Sequence, residues 1–283
     1  MGPVTSAPPI VVTIPPLKLI IQEITGDPGE VVCLLPPGAS PHTFELRPSM
    51  ARMLASAKLV LYTDETIDGW AARTSTGPIH TVFDMVPPSM RLEFDGDGGH
   101  VHTGPGAHAG DEGGHTWNAH FWSDPLLVSA IVPELVRVLS TMDPGSAARY
   151  EANGRAFAES LVQLHAELQA GRPEVGDYAM VAFHPSWDYF FARYGLHVTA
   201  YIEPLPGKEP TPRAIQELQE ALRQQQRRVI LSEEQLPAKP AEVLAETLGA
   251  QVTLIDPLGG PEGRETYADF LRYNAGIIWE AFR

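Results

Sequence analysis

Cysteine is almost missing from this chain: Cys33 is the only one in 283 residues. That excludes an internal disulfide and any thiolate cluster, and it leaves the redox compartment open. Positive charge is scarce as well. Lys and Arg number 20 against 35 Asp and Glu, a formal net charge of −15, and no basic run occurs. This argues against a phosphate-binding surface, and nucleic acid is not an expected partner. No apolar run reads as long enough to span a membrane. The opening MGPVTSAPP has neither a charged n-region nor an apolar h-region. No signal peptide is expected there. Residues 2–9 read as a tether, at either a cytosolic or a mature terminus.

What is present is enough apolar material for a proper core, at 43% of residues. The length suits one large domain or two lobes. One stretch organises the rest, DPGSAARYEANGRAFAESLVQLHAELQAGRP at 143–173. Tyr150, Phe157, Leu161, Leu164 and Leu168 fall on one helical stripe. Asp143 reads as the N-cap, Pro144 as the first helical position, and Gly171 with Pro173 as the stop. Gly154 reads as a weak spot. Such a helix spans ~40 Å, which makes it either a core helix or a strut between lobes.

Strands are expected at 10–14, 31–35, 58–63 and 80–83, with helices at 16–25, 49–56 and 67–73 between them. After the long helix, strands are expected at 178–183, 197–202, 228–231 and 251–255, with helices at 186–194, 212–222, 239–248 and 266–282. A further helix is expected at 125–140, capped by Asp124. Four strands interleaved with helices in each half imply an α/β fold of two parallel-sheet lobes. The long helix between them favours the strut. No internal repeat is visible in residue identity. Residues 94–114, FDGDGGHVHTGPGAHAGDEGG, have little apolar content and read as a mobile surface loop.

Ligands of open parallel sheets sit beyond the carboxyl ends of strands. His42 follows the second expected strand, and His120 leads from the first half into the helices. His184 follows the strand at 178–183, and Asp256 follows the strand at 251–255. Three imidazoles and one carboxylate are a good tetrahedral set for Zn²⁺, whereas manganese prefers more oxygen. Each residue also has a plain structural explanation. His42 beside Pro41 suits a turn, His184 before Pro185 suits a helix cap, and Asp256-Pro257 suits a strand-ending turn. Glu203 and Glu233 also follow strands, so either can stand in for Asp256. His80, His165 and His197 read as structural. Trp117, Phe121 and Trp122 are candidates to wall the site. In the glycine-rich loop, His100, His102, His108 and His115 among acidic residues read either as a weak secondary metal site, which glycine makes costly to order, or as a solvated linker with chance histidines.

The motifs PPGASPHTFELRPS, NAHFWSDP, VAFHPSWDYFFARYGL, EPLPGKEPTP and LIDPLGG resemble, in order from about residue 10 to 282, the metal-binding receptors of bacterial ABC importers. These are the ZnuA/TroA-like, cluster A-I solute-binding proteins. The resemblance implies two α/β lobes joined by a rigid backbone helix, with the metal in the cleft. It implies an N-terminal lobe at 10–142 carrying the His-rich loop 94–115, a connecting helix at 143–172 and a C-terminal lobe at 173–283. It places the ligands on His42 in SPHTFE, His120 in NAHFWSDP, His184 in AFHPSW and Asp256 in IDPLGG. Manganese members tend to carry Glu at the third place, so His184 points to zinc. Where many members have Asp-Pro before the second histidine, this chain has Asn118-Ala119, which puts the outer contacts of His120 in question. The 94–114 stretch resembles a short form of the family's His/Asp/Glu-rich loop.

The function so implied is capture of Zn²⁺ and delivery to an ABC importer permease in the membrane. The protein would act as a monomer, periplasmic or lipid-anchored outside the cytoplasm, with no catalysis. Affinity should fall below pH ~6.5, where free histidine takes up its proton. The rival classes are a zinc-dependent hydrolase, a Mn²⁺-specific receptor of the same family, and an adhesin that binds metal incidentally. A catalytic zinc needs an open position and a nearby base, and no HExxH occurs.

Overall fold

A computed structural model describes residues 10–94, 116–204, 210–223, 225, 227–260 and 262–283. The first lobe runs β1 (Ile10–Val12), α1 (Pro15–Thr25), β2 (Val31–Cys33), α2 (Pro48–Ser56), β3 (Leu59–Tyr62), α3 (Glu65–Asp68) and β4 (Ile79–Thr81). β5 (Glu93–Phe94) and β6 (Thr116–Trp117) pair antiparallel, an element the sequence did not suggest. α4 (Pro125–Met142) and α5 (Ala147–Gly171) follow. The second lobe runs β7 (Ala179–Ala182), α6 (Asp188–Arg193), β8 (Ala200–Tyr201), α7 (Pro212–Leu222), β9 (Arg228–Glu233), α8 (Lys239–Leu248), β10 (Val252–Ile255) and α9 (Tyr267–Ala281).

The expected α/β class is correct. The first sheet has the order β2-β1-β3-β4 and the second β10-β9-β7-β8. Every neighbouring pair in both is parallel. Counted from its own first strand, the second sheet repeats the winding of the first, although no residue repeat betrays it. The central strands are buried on both faces, as parallel sheets require: Ile10, Val11, Val12, Val60 and Leu61 are all fully buried. One continuous apolar core runs from Ile10 through α4 and α5 to Phe282, so both lobes share it.

Most strands are shorter than their apolar runs. Backbone hydrogen bonding runs on past β1 at Thr13, whose N–H donates to Leu61 O at 3.2 Å and whose carbonyl accepts from Leu35 N at 2.9 Å, while its hydroxyl goes to Asp68. The expected helix at 67–73 is the short α3 followed by turns. α5 buries the predicted stripe of Tyr150, Phe157, Leu161, Leu164 and Leu168 and spans ~37 Å at the helical rise. Its start differs from expectation. Asp143 closes α4, with its N–H donating to Leu139 O at 2.9 Å. Residues 144–146 then form a tight 3₁₀ turn, and α5 begins at Ala147. The chain has to reverse between two packed helices within those few residues, so Pro144 starts the turn rather than the helix.

Gly154 is not a weak spot. A Cβ there would lie 2.5 Å from Val136 Cγ2 and 3.3 Å from Val132 Cγ1, so its bareness lets α5 approach α4. α4 also corrects an exclusion made from sequence. Its 18 residues are long and apolar enough, by length and composition, to cross a membrane. In this fold it buries Leu127, Val128, Ile131, Val132, Leu135, Val138 and Leu139 in the shared core. Asp124 caps it through Leu126 N at 2.9 Å and also receives Arg193 in a two-pronged ion pair.

Candidate metal centre

The three histidines arrive from three different elements. His42 sits in the 3₁₀ turn at 41–43, in the loop after β2. Trp70 Nε1 donates to the Pro41 carbonyl at 3.2 Å and holds that turn down. His120 opens the 3₁₀ turn at 121–123, between β6 and α4. His184 leaves the end of β7 and opens the turn at 185–187, with extended backbone before Pro185. Their Nε2 atoms converge, His42 to His120 at 3.3 Å and His184 to His120 at 3.3 Å. Ligand atoms of all three lie within 4.8 Å of one another. They line a small cavity of about 20 Å³, walled from both lobes by Trp122, Ser186, Glu233 and Pro257 among others. That volume has room for about one small species.

Each ring is aimed by a different partner. The Thr66 backbone hydrogen-bonds His42. Asn118 Oδ1 lies 2.8 Å from His120 Nδ1. Glu233 Oε1 lies 2.6 Å from His184 Nδ1 and also accepts from Ser186 Oγ at 2.7 Å. A carboxylate and an amide oxygen accept, so His120 and His184 carry their proton on Nδ1. With Nδ1 held outward, the Nε2 atoms face the centre. Burial, and then the neighbouring His184, push His42 down to about 3. The same causes, with His42 added, hold His120 well below the ordinary range. Both rings are thus neutral donors at neutral pH. Three imidazole Nε2 atoms brought together form a seat for a borderline cation.

The structure does not bring Asp256 to this group. The carboxylate is fully buried and takes four hydrogen bonds. Arg264 Nη1 donates at 2.6 Å, Gln235 Nε2 at 2.8 Å, and the amides of Leu258 and Gly259 at 3.0 and 2.9 Å. Arg264 also pairs with Glu234. Asp256 thus ties down the turn whose Pro257 and Leu258 wall the cavity. Of the two alternatives, Glu233 aims His184. Glu203 is buried and lines a separate cavity of about 590 Å³ with Phe183 and Ile215. His100, His102, His108 and His115 lie outside the described residues.

Trp122 walls the site as expected. Its ring centroid is 5.2 Å from that of His120, and its Nε1 donates to the Pro257 carbonyl at 2.8 Å. Trp117 lines a neighbouring cleft of about 290 Å³ that also touches His42 and His120. Phe121 is core, against Phe83. His165 and His197 meet the hydroxyls of Tyr194 and Tyr178. Sequence reasoning missed Asp188. Burial pushes its carboxyl up to about 7, against hydrogen bonds from Tyr201 and Asn118 that act the other way. The departure at Asn118 was the one signal that could have led there.

The family profile described as "Zinc-uptake complex component A periplasmic" (ZnuA) matches residues 10–281. A Thermotoga maritima protein assigned to metal binding by name is 28% identical over 279 residues, covering 97% of this chain and 92% of its own. The high-affinity zinc uptake system protein ZnuA of Brucella abortus is 26% identical over 304 residues, covering 95% and 90%. Among solved structures, a crystal structure of ZnuA has a TM-score of 0.80 at 27% identity, covering 97% of this chain and 98% of that one. The solute-binding protein FpvC of Pseudomonas aeruginosa, in complex with Mn²⁺, has a TM-score of 0.81 at 25% identity, covering 96% and 97%.

Proposed function

The chain belongs to the ZnuA family, and from that premise we propose that it captures Zn²⁺ on His42, His120 and His184 and delivers it to an ABC importer permease. It does so outside the cytoplasm, as a monomer, and performs no chemistry on its cargo. Two of the nitrogen separations support the choice of metal. The Nε2 atoms of His42 and His184 each stand 3.3 Å from that of His120. Zinc at ~2.0–2.1 Å from each nitrogen, with tetrahedral angles, separates the nitrogens by about 3.3–3.4 Å. Right-angled ligands at the same bond length would stand about 2.9 Å apart. The all-nitrogen set also lacks the oxygen ligands that manganese prefers, although the FpvC neighbour holds Mn²⁺.

Water completes the tetrahedron in this reading. Moving Asp256 onto the ion would strip buried Arg264 of its 2.6 Å partner, and a buried charge left half-paired is costly. Asp256 therefore acts by bracing the cavity wall. The hydrolase alternative is disfavoured because Glu233, the nearest candidate base, already accepts from His184 and Ser186. The divisions at 142/143 and 172/173 separate two lobes and a strut. The continuous core between them restricts opening to small tilts.

Competitive metal titration tests the reading. Zinc should bind one-to-one and ahead of Mn²⁺, and His42→Ala, His120→Ala and His184→Ala should each weaken it severely. Asp256→Asn should weaken it far less. One-to-one zinc binding of unchanged strength after two of the histidine changes would overturn the assignment.

A further inference from the structure

We infer that Asp188 is a positioning residue for zinc capture, acting on His120 through the amide of Asn118. This rests on the three imidazoles being the zinc ligands. Asn118 is buried and both ends of its amide are committed. Its Nδ2 donates to the Pro185 carbonyl at 2.8 Å and to Asp188 Oδ2 at 3.1 Å. Its Oδ1 accepts the His120 backbone N–H at 3.0 Å and Nδ1 at 2.8 Å. The two acceptors on one side and the backbone donor on the other leave the amide only one orientation. The other Asp188 oxygen accepts from Tyr201 OH at 2.8 Å, and Tyr189 OH bolts the Asn118 carbonyl at 2.7 Å.

The His184 arm has its carboxylate in direct contact, on Glu233. The His120 arm has an amide in that place and a buried carboxylate one hydrogen bond further out. A carboxylate accepting from Nδ2 polarises the amide and makes Oδ1 a stronger acceptor, which enriches the imidazole that faces the ion. A divalent ion among the imidazoles in turn favours the ionised carboxylate. The two positions form a matched pair, because a carboxylate at 118 would confront both the Pro185 carbonyl and Asp188. Tyr201 OH can turn to accept from the new amide, so Asp188→Asn removes the charge while keeping a hydrogen bond to both Tyr201 and Asn118.

The test is competitive zinc titration of the full chain as wild type, Asp188→Asn, Asn118→Ala and the double variant, with melting of each metal-free form. Asp188→Asn should weaken zinc about 10-fold and Asn118→Ala about 10- to 100-fold, the range for outer contacts of metal ligands. In the Asn118→Ala background, Asp188→Asn should add nothing. The metal-free melting temperature of Asp188→Asn should not fall, since a buried charge is removed. The visible band of the Co²⁺-loaded protein should shift in Asp188→Asn, which a packing role would not cause. Wild-type zinc affinity in Asp188→Asn, or the same loss with and without Asn118, overturns the inference while leaving the three-histidine site standing. A wild type that takes no zinc overturns both.

Discussion

The two sheets wind alike, yet their cleft-facing ends are built from different chemistry. In the first lobe His42 rests on the Thr66 backbone. The buried carboxylate there, Asp68, is turned inward on Thr13 Oγ1 and the amides of Thr63 and Asp64. In the second lobe His184 is carried by Glu233, and the buried Asp188 interacts with it electrostatically. One winding has thus been finished twice, once with a histidine held by backbone and once with a histidine held by a carboxylate. In the proposed zinc site the first lobe would contribute geometry, and the second geometry and the Glu233 carboxylate. His120, between them, draws on both kinds through Asn118 and Asp188.

Removing one ligand from each lobe should give the largest effect and erase the contrast. His42→Ala and His184→Ala should each cost at least ~100-fold in zinc affinity, beyond the range for outer contacts, as read by competitive titration. Changing the supports should expose the contrast. Glu233→Gln should cost about 10- to 100-fold, whereas Thr66→Ala should cost little because only the backbone is used. Equal losses from the two would break the comparison.

Packing under the lobes gives a smaller, stability-only effect. Gly154→Ala should destabilise by about 1–3 kcal/mol in denaturant unfolding, because the added methyl overpacks the α4–α5 contact. Helix propensity alone predicts a gain. Acid should act on the metal-free protein next. His42 is depressed to about 3 and His120 is lowered too. Between pH ~6.5 and 3 the unfolded chain therefore binds protons that the folded chain refuses, so stability rises with pH across that window. The metal-free melting temperature should fall from pH 6.5 to 4, and His42→Gln should flatten the fall. The same shifts move acid competition at these two ligands below the ordinary histidine range. Deleting residues 99–114 should change least, removing only weaker zinc binding and leaving the one-to-one site.

Much of this was legible because the chemistry is local. Apolar strand runs, the α5 stripe and the short motifs around the three histidines are patterns within short windows. Gly154 was misread because its reason lies on another helix, at Val136. Asp256 sits at a strand end like a ligand, but its partners Gln235 and Arg264 come from separate loops. Asp188 was passed over because its significance depends on Asn118, 70 residues earlier and adjacent only after folding.

X-ray absorption at the zinc edge of the one-to-one loaded protein tests the central claim most directly. The account predicts a four-coordinate shell with three imidazole nitrogens at ~2.0–2.1 Å. A shell with fewer than three imidazoles, or a six-coordinate oxygen-rich one, would contradict it.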